Sequence, residues 1–246
     1  MLPTEAVSGS VPAARVVDAV RVFVSRNESV RGLQGFSIDL HAGEVCALVG
    51  ISGSGKSTLL NVIGGLEMLD SGYVEVNGAR VSSLSRSDLA RFRRETVATV
   101  FQEYNLLPML TSLENVSLPG QLVSANVDEV YEASRRALDV LGMADLVDRY
   151  PGELSGGQRQ RVAIARAIAG AGTAGKVILL ADEPTGSLDT SATRDVMHAF
   201  REAARAGLAV LVATHDPEVV ATADRVVAIR DGQNAQVPLL AGMTPR

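Results

Sequence analysis

Apolar and polar positions alternate early in the chain, along Val16 to Val24 and Phe36 to Leu40, which predicts two half-buried strands separated by polar Ser25 to Ser29. Val45 to Val49 is apolar throughout and meets glycines at once, the pattern of a fully buried strand entering a turn. Helical signals start at Lys56. Beyond Asp70, Tyr73 to Val76 runs into Asn77-Gly78, a dipeptide suited to the positive φ angles of a two-residue hairpin turn. An antiparallel β section therefore accompanies the buried strand.

The period then changes. From Asp88 to Arg94 and from Val127 to Met143, apolar residues recur at helical spacing, and Asn126 with Glu129 resembles a capping pair for the second helix. Residues of about 88–165 are expected to form a mainly helical subdomain inserted between the halves of an α/β core. Buried strands return at Val177 to Ala181, Ala209 to Ala213 and Val226 to Ile229, with a helix from Ser191 to Ala206 ended by Gly207. Strands alternating with helices predict a mainly parallel sheet with crossover helices. Gly170 to Gly175 reads as a flexible link, and 1–14 and 233–246 read as tails around a domain of 15–232.

Composition narrows the function. The 46% hydrophobic content of the 246 residues is ample for a core, and 23 basic against 28 acidic side chains leave a charge of −5. Nucleic-acid binders that work through bulk charge carry the opposite excess, so no nucleic-acid partner is expected. The longest apolar runs fall far short of the roughly 20 residues of a membrane span. Cys46, the one cysteine, reads as a core residue, and a reducing cytoplasm fits. Met1 to Ala14 has neither the charge nor the apolar stretch of a secretory signal. Arg91, Arg93 and Arg94 read as a solvated helix face, and Lys176 as a solvated flank.

The chemistry begins at Gly50-Ile51-Ser52-Gly53-Ser54-Gly55-Lys56-Ser57, which fits G-x-x-x-x-G-K-S between a buried strand and a helix. Glycines let backbone N–H groups wrap a phosphate chain and the helix N-terminus adds a fixed positive field, so that Lys56 would reach the β- and γ-phosphates and Ser57 would ligate Mg²⁺. Thr58 follows in the same turn. Later, an apolar strand delivers Asp182 and Glu183 at its carboxyl end, where α/β sheets bind ligands. Asp182 is placed to hold the magnesium through water, and Glu183 to accept a proton from the attacking water. Leu154-Ser155-Gly156-Gly157-Gln158 opens a helix from about Arg159 to Ile168 and makes a second anion cradle. Two cradles about 100 residues apart suggest two half-sites completed by a second copy of the chain.

On these residues the chain resembles the ATP-binding-cassette ATPases, over about Val16 to Gly232. Leu154 to Gln158 is similar to the family signature. Gln102 resembles the glutamine that senses magnesium and the attacking water, and Ser187-Leu188-Asp189 the loop that communicates across the dimer. His215 resembles the histidine that contacts the γ-phosphate, and Phe23 holds the place of the aromatic that stacks on adenine. Asp216 and Pro217 supply a cap and first position for the helix after His215. The stretch Val100 to Pro119 resembles the branch containing macrolide-export and lipoprotein-releasing ATPases. There Leu106, Leu107 and Met109 would form a surface for a coupling helix of the membrane subunit.

The resemblance implies a P-loop NTPase core that binds ATP and Mg²⁺ in a head-to-tail homodimer on the cytoplasmic face of the membrane and drives a separate permease. A soluble cassette acting on DNA or ribosomes is the alternative; the long coiled coils and zinc insertions of such relatives are not found. A metabolic kinase with the same phosphate loop would leave the signature unexplained.

Overall fold

The computed structural model describes residues 11–25, 28–124 and 126–236. Strands β1 (Ala14–Ser25) and β2 (Glu28–Leu40) pair antiparallel and are joined by β4 (Ser71–Val76) and β5 (Ala79–Arg80) in a four-stranded sheet of order β2-β1-β4-β5. The β4–β5 turn is Asn77-Gly78, with φ of 49° and 75°, as the dipeptide predicts. A second sheet has the order β10-β9-β3-β8-β7-β6. Its parallel strands are β3 (Val45–Val49), β6 (Val97–Val100), β7 (Ile178–Asp182), β8 (Ala209–Thr214) and β9 (Arg225–Arg230), with β10 (Gln233–Ala235) antiparallel at one edge.

Helix α1 (Lys56–Ile63) lies between the two sheets. Its Leu59, Leu60 and Ile63 are buried in one cluster with Leu33 and Phe36 of the first sheet and Leu48, Leu180 and Leu211 of the second. The intervening residues of β7 and β8, such as Leu179, Ala181, Val210 and Val212, face a second cluster with Leu138, Val162, Ile164 and Phe200. Coverage on both faces is why these strands read as unbroken apolar runs. The second cluster is built by α3 (Ser112–Gln121), α4 (Val127–Val140), α5 (Gly156–Ala174) and α6 (Thr190–Arg205). Helix α2 (Arg86–Thr96) instead sends Phe92 into the first cluster, and the short α7 (Pro217–Thr222) follows β8.

The structure corrects several expectations. Val97–Val100, inside the stretch expected to be mainly helical, is the edge strand β6 paired with β7. Four residues, Val-Ala-Thr-Val, are too few for periodicity to separate a strand from a helix end. Gln233–Ala235, assigned to the tail, pairs with β9. Gly170 to Gly175 is not a free link: α5 runs through Ala174 and ends at Gly175 in the left-handed conformation. A Cβ on Gly170 would lie 2.9 Å from Cβ of Pro119, so the absent side chain lets α5 approach α3. Arg93 donates to Gly65 O at 2.9 Å and is half-buried, so it leaves the solvated face assigned to it. Lys176 likewise turns inward: its Nζ donates to Val97 O at 2.7 Å, and burial pushes its pKa down to about 8.

Gly172 lies in α5 with open space around it, so Gly172→Ala should stabilise by about 0.5–1 kcal/mol. Gly170→Ala should destabilise by ~1 kcal/mol or more by overpacking against Pro119; urea denaturation of both variants measures the opposite signs, whereas a flexible link would respond to neither. For Lys176, the folded chain holds its proton less tightly than the unfolded chain, so its burial penalty is full below about pH 8 and fades as pH rises toward the ordinary lysine value. The melting temperature of Lys176→Met relative to the parent chain should therefore be most favourable near pH 7 and decline steadily toward pH 10.

Candidate functional site

Strand register brings four loops to one edge of the parallel sheet. Val49 lies opposite Thr214, Asp182 opposite Ala213, and Val100 opposite Ala181, so the segments that leave these strands converge. They enclose a cavity of about 940 Å³ lined by Gly50 to Thr58, Gln102, Asp182, Glu183 and His215, with Phe23 of β1 at one side.

The loop from Gly50 to Gly55 wraps the N-terminus of α1. Gly55 has φ 108°, and a Cβ there would come within 2.3 Å of Gly32 O, so both conformation and space demand glycine. No side chain caps this helix and its first turn contains no acid, which leaves its N–H groups available to an anion. Ser54 is buried, and its Oγ has no hydrogen-bond partner among the described residues. Lys56, 8% exposed, donates to Gly50 O at 2.8 Å and lies 3.6 Å from Oε1 of Glu183. An uncapped helix end, a buried hydroxyl and an ammonium facing one cavity suit a phosphate chain.

The carboxylates are held differently. Asp182 ends β7, and burial raises its pKa, with the Ser57 hydroxyl opposing the shift, the Glu183 charge adding to it and Lys56 opposing it. Glu183 has φ 46°, an unfavourable backbone for a residue with a side chain; its N–H donates to Ala213 O at 2.9 Å. Its Oε2 lies 2.9 Å from Nδ1 of His215. The exposed His215 is positioned from behind: Asp216 caps α7 through Glu218 N and accepts a hydrogen bond from Thr185 Oγ1 at 2.8 Å. A carboxylate between an ammonium and an imidazole can accept a proton from a water in the cavity.

Gln102 follows β6 and reaches the cavity from the exposed side. Tyr104 and Asn105, just beyond it, both adopt left-handed backbone, at φ 61° and 48°. Arg166 of α5 holds the pair by donating to Tyr104 O at 2.7 Å and Asn105 O at 2.6 Å. Phe23 is half-buried, and the Arg21 guanidinium lies 4.8 Å from its ring centroid while pairing with Glu67 and Asp70.

The second cradle stands apart. Ser155 caps α5 in a reciprocal box with Gln158, and a Cβ on Gly157 would lie 3.1 Å from Ser187 O. Ser155, Gly156, Gly157 and Gln158 do not line the cavity, nor does Asp189, whose carboxylate caps α6 through Ala192 N. Sequence reasoning missed Tyr104, Gln160 and Arg31, which do line it. Gln160 is adjacent to the signature, which was the available signal; the other two depend on tertiary placement.

A parallel sheet whose strand ends bring together an uncapped phosphate loop, paired carboxylates and a histidine defines a nucleoside triphosphatase of the phosphate-loop class. Residues 33–186 match the ABC transporter family, and the chain belongs to it as an ATP-binding ATPase cassette. Over 227 residues, 92% of the chain, it is 41% identical to the macrolide export ATP-binding/permease protein MacB of Shigella sonnei (strain Ss046) and equally to that of Escherichia coli (strain K12). The chain spans about a third, 34%, of the length of these relatives. Among solved structures, the dimeric post-hydrolysis state of the ATP-binding cassette MJ0796 bound to ADP and Pi matches with a TM-score of 0.85 and 32% identity, covering 94% of this chain and 100% of that one. Among the described residues, no helix is long and apolar enough to cross a membrane.

Arg166→Leu should lower unfolding free energy by roughly 1–2 kcal/mol, because the half-buried Tyr104 carbonyl and the exposed Asn105 carbonyl lose a charged donor. In that background Asn105→Gly should recover up to about 1 kcal/mol by relieving the left-handed strain; chemical denaturation of the single and double variants measures both.

Proposed function

We propose that two copies of this chain close head-to-tail around MgATP, hydrolyse it, and drive a membrane permease from its cytoplasmic face, in the manner of the macrolide-export and lipoprotein-release branch. The observation that carries the hydrolytic part is Glu183, held between Lys56 and His215 at the mouth of the phosphate loop.

In this reading the N–H groups of Gly53, Gly55, Lys56, Ser57 and Thr58 hold the phosphates, with Gly50, Ser52 and Ser54 shaping the loop, and Phe23 stacks on adenine. Glu183 accepts the proton of the water that attacks the γ-phosphorus. His215, hydrogen-bonded to Glu183 through Nδ1, presents its other ring nitrogen to the γ-phosphate, while Gln102 orients the water. The Ser57 hydroxyl beside the Asp182 carboxylate is an oxygen donor pair suited to Mg²⁺, with Gln102 nearby; such a site uses one or two protein oxygens and completes its shell with phosphate and water. When bound, the ion would neutralise charge on the β- and γ-phosphates.

Ser155, Gly156, Gly157 and Gln158 would complete the site of the second copy, with Asp189 in the loop between the two sites. Their position outside the cavity of their own chain supports this, as does the dimeric ADP-and-Pi state of the similar cassette. The permease is supported by the relatives, which are ATP-binding/permease proteins about three times as long. Met109 and Leu107, 77% and 42% exposed, offer an apolar surface for it, whereas Leu106 packs against the helical core and drops out of that surface.

Glu183→Gln should retain ATP and accumulate the dimer but lose about 10²- to 10⁴-fold in turnover, the usual contribution of a positioned base. Phosphate release and analytical ultracentrifugation with ATP check both; near-normal ATPase would overturn the base assignment.

A further inference from the structure

Gln160 is 2% exposed, stands on the second turn of α5, and lines the same cavity as Gln102, Asp182 and Glu183. Its Nε2 is buried and has no hydrogen-bond partner among the described residues. Buried amide donors are nearly always paired, because an unmet one retains its full desolvation penalty. A leucine would fill this position without that penalty. The helix around it is fixed, since Gly157, on the same side one turn earlier, is pressed against Ser187 O.

A buried donor lining the cavity that the two carboxylates also line would find its acceptor in what enters it. We propose that Gln160 is a positioning residue for hydrolysis, its amide donating to an oxygen at the γ end of the triphosphate bound in its own chain. The inference rests on the cavity being the nucleotide site. It gives α5 a role toward both sites: its cap faces outward, while its second turn reads the occupant of the near cavity.

The bond forms only when the γ-phosphate is present, so it separates ATP from ADP. Gln160→Leu should melt no lower than the parent chain without nucleotide, keep its affinity for ADP within about threefold, and lower kcat/KM for ATP by ~10- to 100-fold, the range for a hydrogen bond to a charged group. The side-chain amide resonances missing from the Gln160→Leu spectrum identify Gln160 by NMR; if that variant fails to fold, Gln160→Glu identifies the same pair. In Glu183→Gln, which keeps ATP intact, those resonances should shift on adding ATP with Mg²⁺ and stay in place with ADP. Resonances unmoved by ATP, or a Gln160→Leu chain that hydrolyses at the parent rate, would overturn the proposal. Failure of the cavity reading looks different, because the Gly50 to Thr58 backbone resonances would then ignore both nucleotides.

Discussion

Leu59, Leu60 and Ile63 press α1 onto Leu33 and Phe36 of the antiparallel sheet and at the same time onto Leu48, Leu180 and Leu211 of the parallel one. Burying each such side chain stabilises by about 1.5–3 kcal/mol, so this eight-residue helix is held by its sides and not by its ends. That is what allows its N-terminus to lack a side-chain cap. The same sandwich fixes the helix axis relative to β3, β7 and β8, and thereby the distances among Lys56, Glu183 and the strand ends. Phosphate chemistry at this edge is a consequence of packing several ångströms away.

Part of the backbone strain lies at or beside the cavity. Glu183, Tyr104 and Asn105 are residues with side chains in left-handed backbone, a conformation that costs of order 1–2 kcal/mol. Each has a specific restraint: the bond from Glu183 N to Ala213 O, and the two carbonyl bonds from Arg166. The strained carboxylate is thus tied to β8, whose end carries His215, and the strained loop is tied to α5. Positions that a relaxed chain would not adopt are kept where the chemistry needs them.

How much of this was legible depends on how local each signal is. Strands β3, β7 and β8 could be read because burial on both faces writes an uninterrupted apolar run, β9 because Val226 to Ile229 is such a run even though it is only partly buried, and the Asn77-Gly78 turn because one dipeptide dictates its φ angles. The phosphate loop and Asp182-Glu183 were legible for the same reason, being contiguous and placed at strand ends. Strand β6 was not, because Val97–Val100 becomes a strand only through pairing with β7, 81 residues away. The glycines from 170 to 175 were misread because flexibility and close helix packing ask for the same residue. Lys176, Tyr104, Gln160 and Arg166 take their roles from partners distant in sequence, which no window along the chain contains.

Helix α5 shows how these pieces combine. Within twelve residues, from the cap of one rigid element into its middle, lie the outward-facing Ser155, the buried amide of Gln160 and the Arg166 clamp on the loop after Gln102. An α-helix transmits displacement along its axis with little loss, since every turn is bonded to the next. Its C-terminal half is wedged against α3 at Gly170 and Pro119, so its first turns cannot move without that contact or the Arg166 bonds responding. In the proposed dimer, a contact at Ser155 would therefore reach the near cavity through Gln160 and the Gln102 loop together. A second copy that closes on the cap would be sensed at the hydrolytic end of the site by geometry alone, with no separate signalling segment required.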